Sequence, residues 1–230
     1  MKFVYKLIVC FILLSALNVA QSQDKAITQT KETQSAMTPD AALQMLKDGN
    51  QRFVDAKPIS RNLLEQVKAT AQKQYPYAVI LSCIDSRVPA EIVFDQGIGD
   101  FFSARIAGNI ADVDVLGSME FACKITGAKL IVVMGHSNCG AIKGAIDDAK
   151  LGNLTELLSK IKPAVDETKT DGERTSKNHE FVENVSKQNV LDVMKQIREK
   201  SPVLDEMIKN GEVKLVGGMY DLETGKVEFY

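Results

Sequence analysis

The sequence predicts an α/β fold in which helices flank a central, largely parallel β-sheet. Two short apolar and β-branched runs, at 77–82 and 129–134, are typical of strands buried on both faces of a parallel sheet. Helical patterns alternate with these strands along the chain. The 230 residues are 45% hydrophobic and 25% charged, a composition that excludes a disordered chain and suffices for one sizeable core.

The first 22 residues have the pattern of a secretory signal peptide. A segment with two lysines leads into a mostly apolar run from Leu7 to Leu17, and small residues end the segment. We expect cleavage after Ser22 and export, to the periplasm in a Gram-negative bacterium and otherwise by secretion. An uncleaved membrane anchor is the alternative, but the apolar run is shorter than the roughly 20 residues that span a bilayer. We therefore expect no stable membrane span after cleavage.

Helices are expected at the start of the mature chain, after a leader. Residues 23–37 are polar and lack apolar periodicity, which predicts a flexible leader. Thr38 as N-cap and Pro39 at the first helical position then open a helix, and a second helical stretch covers about 61–73. Because no repeat or linker divides the remainder, we expect residues 38–230 to form a single domain.

The rest of the chain continues the alternation. A weaker strand is expected at 101–106 and a helix from about 114 to 126. After Gly140 the chain is helical to about Ser201, with breaks near Pro163 and Gly172. The C-terminal segment 213–230 predicts a β-hairpin that turns around 223–225.

The net charge and the number of histidines exclude two kinds of function. The 28 Lys and Arg residues against 30 Asp and Glu give a net charge of -2, so the chain lacks the broad cationic surface that nucleic-acid binding requires. We expect no nucleic-acid partner. Since the sequence has only 2 histidines, a three-histidine metal site is excluded.

Candidate metal ligands follow both buried strands. Cys83 comes directly after the first strand, and His136 and Cys139 come after the second. Because the carboxyl ends of parallel strands meet at the same edge of a sheet, these side chains can converge. Two cysteines and one histidine bind zinc with three protein ligands and leave a fourth position for water or substrate, which is typical of a catalytic site.

Asp85 and Arg87 follow Cys83 at two-residue spacing, so the three side chains can share one face of an extended segment. A guanidinium can hold a carboxylate through two charge-assisted hydrogen bonds and keep it ionised. The carboxylate can then accept a hydrogen bond from a zinc-bound hydroxide and orient it. An ordinary surface ion pair is the alternative, and it would contribute little.

The cysteines also admit structural interpretations. Each can be a small core residue, and Cys83 with Cys139 can form a disulfide in an exported protein. A disulfide does not explain the histidine three residues before Cys139 or the Asp and Arg after Cys83. Cys123 lies in a helical segment among apolar neighbours, and we interpret it as a core thiol.

The motifs together resemble those of the β-class carbonic anhydrases. They are CIDSRVP at 83–89, FDQGIGDFF at 94–102, ARIAGN at 104–109 and GHSNCGA at 135–141, with DGNQRFV at 48–54 and RNL at 61–63. The resemblance covers essentially the whole mature chain, although Ala141 stands where many relatives carry a second glycine. It implies the fold of that family, with Cys83, His136 and Cys139 as ligands of one Zn²⁺ per chain and Asp85 with Arg87 as the catalytic dyad.

The resemblance also implies a substrate pocket and an assembly. Gly140 would supply a backbone N–H near the substrate, and Gln96 would reach the pocket of a neighbouring subunit. The family implies a homo-oligomer, a dimer or a dimer of dimers, because each site borrows residues across the interface. Phe101, Phe102 and Ile106 are candidate apolar lining residues that suit a nonpolar gas.

These observations predict an enzyme, a carbonate dehydratase that reversibly hydrates CO2 to bicarbonate and a proton, with activity that rises toward alkaline pH. The resemblance also implies that Asp85 is a candidate fourth ligand in a closed state of the site. Hydrolysis of carbon disulfide or carbonyl sulfide is a related alternative, and an exported zinc-storage or zinc-sensing protein is an unrelated one. A thiol-disulfide protein is disfavoured because no C-x-x-C pair is present. His179, in a polar stretch, is expected to be a solvated surface residue.

Overall fold

A computed structural model describes residues 28–230. The predicted signal peptide, residues 1–22, lies outside the described residues. Within them, no helix has both the length and the apolar character that a membrane crossing requires.

The five-stranded sheet has the order β2-β1-β3-β4-β5. Its strands are β1 (Ala78–Ser82), β2 (Phe101–Arg105), β3 (Leu130–His136), β4 (Lys214–Tyr220) and β5 (Val227–Phe229). The first four strands are parallel, and β5 returns antiparallel to β4. The predicted central, largely parallel sheet and the C-terminal hairpin are thereby confirmed.

Ten helices flank this sheet in the described part of the chain. They are α1 (Lys31–Ala36), α2 (Pro39–Val54), α3 (Leu63–Thr70), α4 (Ala90–Val93), α5 (Val113–Glu120), α6 (Gly140–Ile146), α7 (Gly152–Ser159), α8 (Lys162–Glu167), α9 (His179–Lys200) and α10 (Pro202–Lys209). Thr38 caps α2 by accepting a hydrogen bond from the Ala41 N–H, as predicted. His179 lies exposed at the first turn of α9, which agrees with the expected surface position.

The central strands divide the core into two layers. Alternate residues of β1 point to opposite faces, as the period of a strand requires. Val79 and Leu81 pack in the layer that contains α9, whereas Ala78 and Ile80 pack in the layer that contains α2. A third cluster joins Cys83 and Cys139 to apolar side chains of α6, α8 and α9, so the metal-ligand candidates lie on a packed base.

Helix α1 lies within the segment expected to be a flexible leader. Its Gln34 is buried, and the side-chain amide donates hydrogen bonds of 2.7 Å to the carbonyl of Pro76 and 2.9 Å to that of Thr126. Thr30 and Thr33 close the helix start with reciprocal capping bonds. The Gln34 side chain thus holds α1 against the rest of the chain. The prediction of a flexible leader relies on apolar periodicity, which does not detect a contact made by one polar side chain.

The helix predicted over 114–126 is continuous but changes its winding. After α5, residues Phe121–Ile125 form a π-helical turn. Cys123 within this turn is 1% exposed, and burial raises the pKa of its thiol to about 12. The predicted core thiol is therefore confirmed.

Candidate metal centre

Three metal-ligand candidates meet at the carboxyl edge of the sheet. Cys83 follows β1, His136 is the last residue of β3, and Cys139 is the N-cap of α6. Because β1 and β3 are adjacent and parallel, their ends place these residues side by side. The two sulfur atoms and a ring nitrogen of His136 all lie within 4.8 Å of one another, and all three residues are buried. The predicted convergence is confirmed.

His136 has the hydrogen bonding of a metal ligand. Its Nδ1 lies 2.9 Å from the carbonyl oxygen of Ser137, so Nδ1 donates the hydrogen and Nε2 keeps a free lone pair. Nε2 is buried and has no hydrogen-bond partner among residues 28–230. An unpaired buried nitrogen is costly unless something binds it. Together with two cysteine sulfurs, this nitrogen forms a donor set that fits zinc.

The two cysteine side chains are close enough for each to shift the pKa of the other. A hydrogen bond from the Cys139 thiol lowers the pKa of Cys83 well below its ordinary value, although burial opposes this. The same contact, together with burial, raises the pKa of Cys139. The backbone N–H of Gly108 also donates to Cys83 Sγ, at 3.4 Å. These contacts favour the thiolate of Cys83, which is the form of cysteine that binds metal.

Asp85 and Arg87 form a two-pronged pair beside the donor set. Arg87 Nε lies 2.9 Å from Asp85 Oδ1 and Nη2 lies 2.8 Å from Oδ2, and the Arg87 backbone N–H also donates to Oδ1. These bonds hold the pKa of Asp85 well below its usual range. Oδ2 lies 4.0 Å from His136 Nε2. The carboxylate is thus ionised and oriented toward the metal-ligand candidates.

Arg105, the last residue of β2, holds the segment that bears Cys83 and Asp85. Its Nε donates to the carbonyl of Cys83 at 3.1 Å, and its Nη2 donates to the carbonyl of Asp85 at 2.6 Å. Arg105 lies within the ARIAGN motif, but the sequence pattern predicts no role for it. Its position at the end of a predicted strand is the signal that could have indicated one.

Two further contacts hold the loop between β3 and α6. Glu183 of α9 accepts a hydrogen bond of 2.8 Å from the backbone N–H of Asn138. Ser137 accepts one of 2.9 Å from the backbone N–H of Leu222, beyond β4. These partners are 45 and 85 residues away in sequence, so no local pattern could have identified them.

Gly140 and Ile106 lie close to the donor set. Gly140 opens α6 directly after Cys139, and a Cβ added there would meet nothing within 4 Å. Ile106 packs against the cluster that contains both cysteines. The predicted roles of these residues toward a substrate remain predictions.

The other pocket candidates lie apart from the donor set within this chain. Phe101 and Phe102 pair with the first residues of β1, whereas Cys83 follows its last residue. The side chain of Gln96 accepts a hydrogen bond of 2.8 Å from the Tyr77 hydroxyl and donates one of 2.7 Å to the Phe94 carbonyl. Their roles in a pocket shared between two copies remain predictions.

Comparison with known proteins shows which family the chain resembles. The family model described as carbonic anhydrase matches residues 78–227. A carbonic anhydrase of Mycolicibacterium smegmatis is 37% identical over 196 residues, which cover 83% of this chain and 92% of that protein. The solved structure of the β-carbonic anhydrase CcaA has a TM-score of 0.66 at 25% identity and covers 82% of this chain and 87% of its own. A solved tetrameric β-carbonic anhydrase of Sordaria macrospora shares the fold, with a TM-score of 0.61 at 24% identity over 72% of this chain and 89% of its own.

The matched region runs from the first residue of β1 into β5 and contains all three metal-ligand candidates. The solved relatives share the α/β architecture on which these residues converge. The chain therefore belongs to the β-class carbonic anhydrase family, and it is an enzyme of that class.

Proposed function

We propose that the protein catalyses the reversible hydration of CO2 to bicarbonate and a proton, with one Zn²⁺ per chain held by Cys83, His136 and Cys139. The observation that carries this proposal is the buried, unpaired Nε2 of His136 between two cysteines and an ionised carboxylate. When bound, zinc supplies Lewis acidity that lowers the pKa of a coordinated water, so that a nucleophile is available near neutral pH.

Asp85 and Arg87 orient that nucleophile. Arg87 engages both carboxylate oxygens of Asp85, so the carboxylate is ionised and acts only as an acceptor. It can accept a hydrogen bond from the attacking water and direct the oxygen lone pair at the carbon of CO2. A protein that only stores metal needs no such pair, which favours catalysis over storage.

A second copy of the chain completes the substrate pocket in this proposal. Ile84, next to Asp85 in the chain, and Ile92 are each 60% exposed, which is unusual for large apolar side chains beside a buried site. We propose that a second copy of the chain covers these two side chains, in a homodimer or in a dimer of dimers. In that assembly Gln96, Phe101 and Phe102 of one copy would approach the pocket of another. Light scattering at several protein concentrations tests this assembly, and a strictly monomeric active enzyme would exclude it.

We also propose that the protein is exported. The support is the charged and apolar pattern of residues 1–22. Cell fractionation followed by N-terminal sequencing tests it. An intact N-terminus on a cytoplasmic protein would overturn it.

Stopped-flow CO2 hydration by the zinc-loaded protein tests the activity. We expect fast turnover that rises with pH, and a loss of about a hundredfold or more in Asp85→Asn. Asp148→Asn is the matched control, because Asp148 pairs with Lys150 on the exposed surface. If the protein bound one zinc per chain and did not hydrate CO2, the proposal would be overturned. Carbon disulfide and carbonyl sulfide would then be the next substrates to assay.

A further inference from the structure

A buried turn passes beside the metal-ligand candidate Cys83. Residues Ala107–Asn109 form this 3-10 turn, one residue after β2, and Gly108 and Asn109 both have positive φ angles, of 67° and 42°. The turn points the Gly108 N–H at Cys83 Sγ, 3.4 Å away. The Gly108 N–H is therefore a hydrogen-bond donor to a sulfur that is expected to bind zinc.

Gly108 is held both at its carbonyl and at its α-carbon. Its carbonyl accepts a hydrogen bond of 2.8 Å from the side-chain amide of Asn189, which lies in α9, 81 residues away. Its α-carbon is packed so closely that an added Cβ would lie 2.5 Å from Ile161 Cδ1 and 3.3 Å from the Cβ of Ala141. The Gly108 N–H and carbonyl belong to successive peptide groups, so Asn189 holds the peptide group that follows Gly108. Together with the packing at the α-carbon, this bond limits how far the turn, and with it the Gly108 N–H, can move.

Asn189 is one of two polar residues among the otherwise apolar buried residues of α9. It is 2% exposed and lies among buried Val185, Val190 and Val193 of the same helix. A buried amide costs free energy unless it is hydrogen-bonded. Ser186 is the other fully buried polar residue near it on α9, but its hydroxyl donates to the Val182 carbonyl within the helix. Asn189 instead reaches out of the helix to the turn beside the cysteine.

We propose that Asn189 is a positioning residue for the metal centre, which acts by holding the Gly108 N–H against Cys83 Sγ. This inference rests on the proposed zinc site. A hydrogen bond to a metal-bound thiolate withdraws electron density from the sulfur, and partners of this kind tune the metal and its affinity. With the bond in place, the sulfur donates less charge to zinc, and zinc remains a stronger Lewis acid.

The absorption spectrum of the Asn189→Leu variant with cobalt in place of zinc tests the proposal without relying on activity. We expect the thiolate-to-cobalt charge-transfer band to move to longer wavelength, because a sulfur that loses its hydrogen-bond donor gives up charge more easily. Competition with a chelator should show that zinc affinity falls by about tenfold or more, because the turn no longer holds Cys83 Sγ in its position. In the zinc enzyme, the midpoint of the pH profile should move to higher pH. Ser186→Ala is the matched control, since it removes a buried polar group of α9 that does not reach the turn, and should change none of the three readouts.

A measurement on the wild type covers the case in which Asn189→Leu does not fold. With ¹¹³Cd in the site, NMR should detect a coupling between the metal and the Gly108 amide proton through the hydrogen bond to sulfur. A milder variant, Asn189→Ser, should shift the cobalt band in the same direction by a smaller amount.

Three results would overturn the inference. They are the absence of the cadmium coupling, an unchanged cobalt band in a folded Asn189 variant, and an equal change in Ser186→Ala. These outcomes leave the proposed function intact, provided that the wild type binds metal and hydrates CO2. Failure of the wild type to bind zinc, cobalt or cadmium would instead overturn both proposals.

Discussion

Nε2 of His136 lies 4.0 Å from Oδ2 of Asp85. The unpaired ring nitrogen and the ionised carboxylate therefore border the same small space, in which the two cysteine sulfurs also end. Arg87 pulls the carboxylate toward itself through both of its oxygens. Because Arg87 holds Asp85 in this way, Asp85 is placed to orient a molecule bound to the metal. The other three residues, two cysteines and His136, are placed to hold the metal itself.

Loss of one cysteine ligand should abolish stoichiometric zinc binding. We expect Cys139→Ser to retain far less than one zinc per chain, because a hydroxyl is a poor substitute for a thiolate ligand. Zinc at about a thousand times its dissociation constant should stabilise the wild type by about 4 kcal/mol, and this gain should disappear in the variant. Metal analysis and thermal unfolding with and without a chelator measure both effects.

Cys123→Ser is the control for that prediction. Cys123 is buried, but it does not belong to the metal-ligand cluster. We expect the Cys123→Ser protein to be less stable than the wild type and still to bind one zinc per chain. If Cys139→Ser and Cys123→Ser lost zinc equally, the loss would come from impaired folding and not from the removal of a metal ligand.

Removal of the Arg87 guanidinium should release Asp85. In Arg87→Gln the carboxylate loses two charge-assisted bonds, so its pKa rises toward the ordinary value and its side chain becomes free to approach the metal as a fourth ligand. We expect hydration activity to fall by about a hundredfold while zinc remains bound. Activity and the visible spectrum of the cobalt form measure the two effects together.

Arg198→Gln provides the comparison, because Arg198 pairs with Asp205 away from the metal-ligand candidates, with Nε 2.8 Å from the carboxylate. Its activity and cobalt spectrum should match the wild type. A fully active Arg87→Gln enzyme would contradict the role of the pair in orienting the nucleophile.

The sequence allowed prediction of the sheet and the donor set but not of the contacts that support them. The apolar runs that became β1 and β3 predict buried parallel strands, and parallel strand ends necessarily bring Cys83 and His136 together. Gln34 and Asn189 act through one amide each on partners at least 42 residues away. Their contacts depend on how distant elements pack, and nothing in the local periodicity reports that packing.

Two helical glycines should respond to alanine in opposite directions. At Gly49 in α2, an added Cβ would lie 1.8 Å from the backbone carbonyl oxygen of Phe94, so helix and loop would have to separate. We expect Gly49→Ala to lower the free energy of unfolding by about 3 kcal/mol or more. At Gly117 in α5, nothing lies within 4 Å, and Gly117→Ala should raise it by about 0.5–1 kcal/mol. Urea unfolding measures both, and a stable Gly49→Ala protein would contradict the close approach.

Stability should fall on acidification in part through Asp95. Its side chain is 4% exposed; burial opposes its ionisation, but hydrogen bonds from Arg52 and Arg61 outweigh this and lower its pKa. Because the folded pKa lies below the unfolded one, this carboxylate stabilises the fold above the unfolded value of about 3.9, and the gain is lost as the pH falls through the folded pKa. Arg61→Gln should cost about 2 kcal/mol at neutral pH and less at acid pH, where the protonated carboxyl no longer needs its partner. Urea unfolding from pH 7 to pH 3 measures the difference, with Arg198→Gln as the exposed control. A loss that is independent of pH would show that Arg61 acts through packing rather than through its charge.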